Sequence, residues 1–146
     1  MKYIIVIFLL LGMVSCSTDE PNVIVENTSI NGNWKPYKYI FRGKDIMLNE
    51  CESKGQLLIN TDFSGVYERY GLSDSGNCNT LDSFEGNWKY DNLNTLILTY
   101  IESGATKTLT KKVNSYSDIE LRINDNSKNL DNVPGNDEGI LVYRKY

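Results

Sequence analysis

The sequence predicts an all-β domain folded as an eight-stranded antiparallel up-and-down barrel, either closed or half-open. Runs rich in Tyr, Thr, Ile, Leu and Val recur roughly every ten residues, and Gly, Asn, Asp and Ser separate them. No long stretch has the period of about 3.6 residues that marks an amphipathic helix. Short turns make neighbouring strands antiparallel, and closing eight strands into a barrel removes unpaired edges.

Each expected strand is bounded by a turn signal. The first strand follows Gly32, and the later ones are short apolar runs that end at Asn, Asp, Gly or Ser. We expect strands at residues 34–41, 55–60, 65–70, 83–90, 95–101, 106–114, 118–124 and 139–144. The clearest turns are at residues 61–65, 91–94, 102–104 and 115–117.

The N-terminal segment has the order of a bacterial secretory signal with a lipidation site. One basic residue precedes an apolar run of about twelve residues, which ends in Gly-Met-Val and is followed by Ser15 and Cys16. This run is shorter than the roughly 20 residues of a membrane span. Met13 stands where Leu is usual, whereas the small Ser15 fits. We therefore expect a lipoprotein signal peptide at residues 1–15, a lipid-anchored linker at 16–28 and the barrel domain at 29–146. The alternative is an ordinary secretory signal that leaves Cys16 as a thiol.

A lipidated Cys16 predicts a cell-envelope location, anchored in the outer membrane. Two or three acyl chains hold a protein far more firmly than one. Ser17-Thr18-Asp19-Glu20 resembles the acidic export signal that brings lipoproteins of Bacteroidetes-type bacteria to the outer leaflet, which would make the protein surface-exposed. A plain solvated tether is the alternative interpretation.

Cys51 and Cys78 remain as an even pair once Cys16 is assigned to lipid. In an oxidising compartment such a pair predicts a disulfide. A loop of this length is worth about 3.5 kcal/mol in chain-entropy terms. A redox role is less well supported, because redox cysteines are usually spaced more closely.

A short motif occurs twice, as Gly32-Asn33-Trp34-Lys35 and Gly86-Asn87-Trp88-Lys89. We expect each copy to open a strand, with the glycine allowing a bend and the tryptophan filling apolar volume. Both tryptophans are therefore expected in the core rather than at a ligand.

Several side chains are candidates for the barrel interior. Tyr37, Tyr39 and Phe41 share one face of the first strand, because side chains alternate along a strand. By strand position, we expect a small ligand to be lined or floored by five aromatic residues: Trp34, Tyr37, Tyr39, Tyr67 and Tyr100. Glu68 and Arg69 are consecutive and therefore point to opposite faces of their strand. A charge that faces inward would favour a wet pocket, and the alternative is that the charged face lies outside the barrel.

Composition excludes several kinds of chemistry. The chain has no histidine, which removes Ser-His-Asp and Cys-His catalysis and imidazole-based zinc sites. The formal net charge of −4 disfavours nucleic acid as a partner.

The scattered carboxylates leave a glycosidase pair of acidic residues as an open alternative. The acidic segment 125–138 invites a calcium interpretation, but its spacing does not match an EF-hand, and a long hairpin loop is the simpler account. We expect no cofactor, no metal and no enzyme activity.

The order of these motifs resembles the lipocalin-like lipoproteins of Bacteroidetes-type bacteria over about residues 30–124. The resemblance rests on Gly32-Asn33-Trp34-Lys35, Cys51 before the turn Asp62-Phe63-Ser64-Gly65, Cys78 before Gly86-Asn87-Trp88, Leu96-Ile97-Leu98 and Asp118-Ile119-Glu120-Leu121. It implies an eight-stranded barrel with a cavity for a small apolar molecule. It also implies a basic residue against the first-strand tryptophan, here Arg144 on Trp34 as a cation–π contact.

Two functions from different classes follow. The first is non-catalytic binding of a small, partly apolar ligand by a membrane-anchored lipoprotein. The second is an envelope protein–protein interaction module with a filled core and no small ligand. An eight-stranded barrel is compatible with both, because its interior is just wide enough to be filled by side chains or to hold one small molecule.

Overall fold

The computed structural model describes residues 29–91 and 93–146, and these form nine antiparallel strands. The strands are β1 Gly32–Phe41, β2 Lys44–Met47, β3 Gln56–Ile59, β4 Ser64–Leu72, β5 Cys78–Asp91, β6 Thr95–Glu102, β7 Ala105–Tyr116, β8 Glu120–Lys128 and β9 Asp137–Lys145. A 3₁₀ turn at Glu52–Lys54 lies between β2 and β3. Within the described residues, no helix has the length and apolar character needed to cross a bilayer.

Eight of these strands close into a barrel. They pair in chain order from β3 to β9, and β1 pairs with both β3 and β9, which closes the ring. The expected all-β, eight-stranded antiparallel barrel is confirmed, and every expected strand is present with its ends shifted by a few residues. The cysteine pair is also confirmed as a disulfide between Cys51 and Cys78.

The additional strand, β2, was not expected from the sequence. It pairs with the second half of β1, whereas β3 pairs with the first half, so the two share one edge of β1. β4 from Arg69 onward pairs with β5, and no other described strand lies against it. A lateral gap therefore separates β2 from the second half of β4, and the 3₁₀ turn lies against both β1 and β4 at this gap.

The two ends of the barrel differ. The Trp end, as we call it, carries the β3–β4, β5–β6 and β7–β8 turns and the beginning of β1. The loop end carries the β1–β2, β4–β5, β6–β7 and β8–β9 connections. Trp34 is fully buried at the Trp end, and the backbone N–H of Trp88 donates to the carbonyl of Phe63 in the β3–β4 turn at 2.7 Å.

Both tryptophans belong to the core, as the repeated motif predicts. The indole N–H of Trp34 donates to the Ile30 carbonyl at 2.8 Å, and that of Trp88 to the Leu58 carbonyl at 3.0 Å. The expectation that each copy opens a strand is correct for Gly32 but wrong for Gly86, which lies inside β5. The apolar cluster that contains both indoles also includes Ile30, Leu57, Ile59, Leu96, Leu98, Val113, Leu121, Ile123 and Leu141. The Trp end is thus filled by side chains.

Close backbone approach explains the glycine of the second copy. Gly86 pairs directly with Gly65 on β4. A Cβ on Gly86 would lie 2.0 Å from the Thr99 carbonyl oxygen, and one on Gly65 would lie 1.9 Å from the Leu58 oxygen. Only glycine fits at either position, and the space beside Gly65 is taken by the Trp88 ring.

Candidate functional site

A buried carboxylate lies inside the barrel beyond the apolar core. Asp125 on β8 is 4% exposed and accepts hydrogen bonds from the Tyr39 hydroxyl at 2.8 Å and the Lys111 ammonium at 2.9 Å. The Ser127 hydroxyl also donates to it, at 2.5 Å. Three strands, β1, β7 and β8, therefore meet at one charge, which is paired as buried charges must be.

The electrostatics of this cluster follow from that pairing. Burial would raise the pKa of Asp125, but the Lys111 ammonium and the hydrogen bonds from Ser127, Lys111 and Tyr39 outweigh it and lower the pKa to about 2. Burial and the nearby carboxylate raise the pKa of the Tyr39 phenol far above its ordinary value. Burial also raises the pKa of Tyr143. At neutral pH the cluster therefore holds one carboxylate, one ammonium and neutral phenols.

Arg69 turns toward the interior, the placement that favours a wet pocket. Its Nε donates to Asp82 at 2.7 Å, and its Nη1 lies 3.5 Å from the Ser127 carbonyl oxygen. Burial would lower the pKa of Arg69, but Tyr67 and the bond to Asp82 outweigh it and raise the pKa. The hydrogen bonds of Arg69 to described residues use its Nε and Nη1 nitrogens, and the side chain lines a cavity.

That cavity lies at the gap beside the second half of β4, and its other sides are formed by the segment after β2 and by residues of β1, β5, β8 and β9. Its volume is about 200 Å³. Apolar walls come from Pro36, Tyr39, Leu48, Leu72, Leu81, Leu141 and Tyr143, and charged groups from Glu52, Glu68, Arg69 and Lys128. Leu72 and Leu81 are about half exposed, at 54% and 53%, and so form an apolar rim. The cavity combines an apolar interior with a few polar groups, which is the usual character of a small-molecule site.

The 3₁₀ turn forms one wall of the cavity and is fixed by three kinds of bond. The Cys51–Cys78 disulfide joins it to β5. The Lys128 ammonium donates to the Glu52 carboxylate, which joins it to β8. Within the turn, the Asn49 side chain accepts from the Glu52 N–H at 2.9 Å, while Glu52 accepts from the Asn49 N–H at 3.1 Å. The gap in the barrel is therefore covered by a tethered segment rather than by a strand.

The five aromatic residues proposed from the sequence do not all meet. Trp34 lies in the core at the Trp end, Tyr39 lines the cavity, and Tyr67 is buried between them in the same apolar cluster. Tyr100 stacks on Phe84 at 4.2 Å between ring centroids. Tyr37 belongs neither to the core cluster nor to the cavity lining.

A β-bulge explains the position of Tyr37. The pairing of β1 with β9 shifts between Pro36 and Lys38, so the simple alternation that put Tyr37 and Tyr39 on one face fails there. The Tyr37 ring instead lies 3.7 Å from the Arg144 guanidinium carbon. Pro36 signals this bulge, because a proline cannot donate to the ladder.

The expected contact of Arg144 with Trp34 is wrong by one residue. Trp34 pairs with Lys145, whose ammonium lies 5.0 Å from the indole, whereas Arg144 pairs with Lys35. Cross-strand partners share a face, so the register assigns Lys145 to Trp34 and sends Arg144 to the other face with Tyr37. A cation–π contact with Trp34 is present, made by lysine.

Sequence reasoning missed the charged cluster of the interior. Asp125 opens the acidic segment 125–138 in the sequence, but in the structure it continues the alternation of Leu121 and Ile123 onto the core face. Lys111 likewise occupies an inward position between Leu109 and Val113, and its side chain is 13% exposed. Period-two spacing was the available signal for both residues. Their pairing across the barrel is a long-range contact that spacing does not show.

Asp131 and Asp137 of the acidic segment accept hydrogen bonds from its own backbone, and Asp131 also pairs with Arg42. Asp137 accepts from the N–H groups of Leu130 at 2.6 Å and Asp131 at 3.1 Å. In the part of the chain that the structure describes, no three or more Asp, Glu or Cys side chains converge as metal ligands would. The calcium interpretation therefore gains no support from the described loop, which is organised by turn-type hydrogen bonds.

An eight-stranded up-and-down antiparallel barrel with a small cavity at its wall belongs to a class of β-barrel proteins that includes the lipocalins. The model of the lipocalin-like domain family matches residues 30–126, about two thirds of the chain, and the protein belongs to this family. No curated protein matches the sequence. Lipocalin-like domains are in general binding modules rather than enzymes, and they commonly bind small hydrophobic molecules.

Proposed function

We propose that this protein is a lipid-anchored, lipocalin-like lipoprotein that binds a small, partly apolar molecule in the lateral cavity and has no catalytic activity. The observation that carries the proposal is the cavity itself, with its apolar rim at Leu72 and Leu81 and the incompletely paired Arg69. A small domain has little structural use for an apolar space of this kind, since filling it would stabilise the fold.

The cavity volume limits the ligand. About 200 Å³ is below the roughly 300–1,000 Å³ of most drug-sized sites but above the roughly 150 Å³ that can hold benzene. A single ring or a short acyl segment fits this space, and a larger molecule would extend past the rim. The free edge of Arg69 favours a ligand that presents a hydrogen-bond acceptor beside its apolar part.

Native mass spectrometry of the mature protein, purified gently from its own envelope, tests this proposal. It is paired with thermal-shift assays against fatty acids, sterols, haem and oligosaccharides. We expect a co-purifying small molecule, or a stabilisation that saturates with concentration. Leu72→Ser with Leu81→Ser should weaken it, and Ile101→Ser, a comparably exposed position away from the cavity, is the matched control. A bare mass and a flat screen would contradict ligand binding.

The lipid anchor is a separate part of the proposal. It rests on Cys16, which lies outside the described residues, and on the signal-like order of the residues before it. We propose outer-membrane attachment, with the acidic Ser17-Thr18-Asp19-Glu20 favouring the outer leaflet. Cys16→Ser should abolish incorporation of labelled palmitate and leave a full-length precursor. An N-terminal peptide beginning after Ser15 without acyl mass would contradict the anchor.

The filled Trp end favours a second candidate, the envelope protein–protein interaction module. Trp34, Leu96 and Leu98 are completely buried, so the described side chains fill the centre of the barrel at that end. In that case the loops would carry the function, and the lateral cavity would be incidental. Cross-linking in cells that depends on loop residues but not on Leu72 and Leu81 would favour this function over ligand binding.

A further inference from the structure

Each connection at the Trp end exposes a large apolar side chain. Phe63 in the β3–β4 turn is 45% exposed, Leu93 in the β5–β6 turn 73% and Ile119 in the β7–β8 turn 74%. Tyr146 follows β9 and is 90% exposed, and its N–H bonds to the Asn33 carbonyl at the beginning of β1. These four residues, the apolar tips, are distributed around the whole circumference of one barrel end.

The loop end does not share this pattern. The β1–β2 turn is Arg42-Gly43, the β4–β5 loop is Ser-Asp-Ser-Gly-Asn, and the β6–β7 turn is Ser103-Gly104. Of its described connections, only β8–β9 exposes a large apolar residue within the loop itself, Val133, while the exposed Leu72 and Ile101 lie on the strands next to the other turns. Scattered exposed apolar residues need no explanation, but one on each connection of a single end forms a patterned surface.

Phe63 adds a second observation. Its φ is +62°, the left-handed region that Asn or Gly adopts at lower cost and that a bulky aromatic residue rarely adopts. The neighbouring turn between β5 and β6 places Asn94 in the same region, at φ +57°. The aromatic ring is thus held at a turn tip where fold stability alone would favour a different residue.

The chain enters the barrel at this same end. Ile30 packs in the core beneath Trp34, and the residue proposed to carry lipid, Cys16, lies thirteen residues before Ser29. A chain of that length spans at most about 45 Å. An acylated Cys16 would therefore keep the barrel close to the bilayer, with the Trp end joined to the tether.

We propose that the Trp end docks on the membrane, with Phe63, Leu93, Ile119 and Tyr146 inserted among the lipid head groups. This inference rests on the proposed lipid anchor. Asp62, Asp91 and Asp118 lie beside three of the apolar tips and Lys145 beside the fourth, so acidic neighbours outnumber basic ones and the surface fits zwitterionic rather than anionic lipid. Docking in this orientation turns the loop end and the cavity rim away from the bilayer.

A matched pair of tryptophan probes tests the orientation. Full-length lipidated protein carrying Leu93→Trp or Ile101→Trp is reconstituted into phosphatidylcholine vesicles with brominated acyl chains. The native residues are similarly exposed, at 73% and 67%, but Ile101 lies near the loop end. Bromine quenches indole fluorescence only at short range. We expect roughly twofold greater quenching and a blue-shifted emission for Leu93→Trp, since an inserted ring leaves water. Ile119→Trp should behave like Leu93→Trp.

Vesicle flotation separates failure of the anchor from failure of the docking. Protein that floats with vesicles but shows equal quenching at Leu93→Trp and Ile101→Trp would overturn the docking and leave the anchor standing. Protein that does not float would overturn both. A blue shift of Leu93→Trp that is the same without lipid would assign this end to a second protein copy and would also overturn the proposal.

Discussion

The two ends of the barrel belong to the same meander of strands, but their interiors are occupied differently. At the Trp end, Trp34 and Trp88 fill the space and donate their indole N–H groups to backbone carbonyls. Toward the loop end the interior carries Asp125, Lys111 and Arg69 and opens sideways into a cavity. One small barrel can therefore derive its stability from one half and place polar groups and a cavity in the other.

Removing the filler of the Trp end should have the largest effect. Trp34 is completely buried, so Trp34→Ala is expected to lower the free energy of unfolding by about 3–5 kcal/mol. Equilibrium denaturation followed by tyrosine fluorescence or circular dichroism measures this loss. Tyr146→Ala, at 90% exposure, is the control and should leave the midpoint nearly unchanged. A loss below about 1 kcal/mol for Trp34→Ala would contradict the assignment of stability to this end.

The disulfide is the next largest contribution, and it belongs to the cavity side. Replacing Cys51 and Cys78 together by Ser should cost about 3.5 kcal/mol, chiefly through the unfolded chain. Because the bond also ties the 3₁₀ turn over the lateral gap, hydrogen exchange should increase around Glu52 more than around Trp88. Uniformly faster exchange throughout the barrel would show that the bond stabilises the fold without specifically holding the cavity wall.

The fold was predictable from the sequence to the extent that it rests on local spacing. Strand periodicity and turns predicted eight strands and their order. β2 was missed because Lys44-Asp45-Ile46-Met47 lacks an alternating apolar face and is largely exposed. The predicted position of Tyr37 was wrong because a bulge interrupts the alternation of side chains along β1. Pro36 was a signal for that bulge.

The candidate site was less predictable, because it depends on contacts between distant strands. Tyr39 and Asp125 are 86 residues apart, and Lys128 and Glu52 are 76 apart. Alternation placed Asp125 on the core face, yet nothing local named its partners. The cavity likewise results from a gap between β2 and β4, and a strand pattern does not reveal where a barrel wall is incomplete.

Acid should act on the polar half through Asp125. Its pKa is about 2 in the folded protein against 3.8 ordinarily, so its stabilisation is complete above pH 4 and is lost as pH falls toward 2. The difference corresponds to about 2 kcal/mol. Asp125→Asn should therefore be less stable than the native protein at pH 7 and lack this part of the decline between pH 4 and 2. Denaturation midpoints at a series of pH values measure the difference. Equal slopes for both proteins would contradict a buried ion pair with Lys111.

The smallest expected effect on stability is at the bridge between Glu52 and Lys128. Their side chains are 16% and 34% exposed, and a partly exposed ion pair contributes about 1 kcal/mol or less. Glu52→Gln should therefore barely move the unfolding midpoint.

The effect of Glu52→Gln should instead be on the cavity, because the bridge holds the 3₁₀ turn against β8 across the lateral gap. We expect faster dissociation of any co-purifying ligand from Glu52→Gln, while Glu50→Gln, on the same segment but outside the cavity lining, should match the native protein. Equal dissociation from both variants would show that the disulfide alone positions the wall. Faster dissociation with unchanged stability would separate the cavity from the filled end, because the filled end responds to core packing while the cavity responds to a tether.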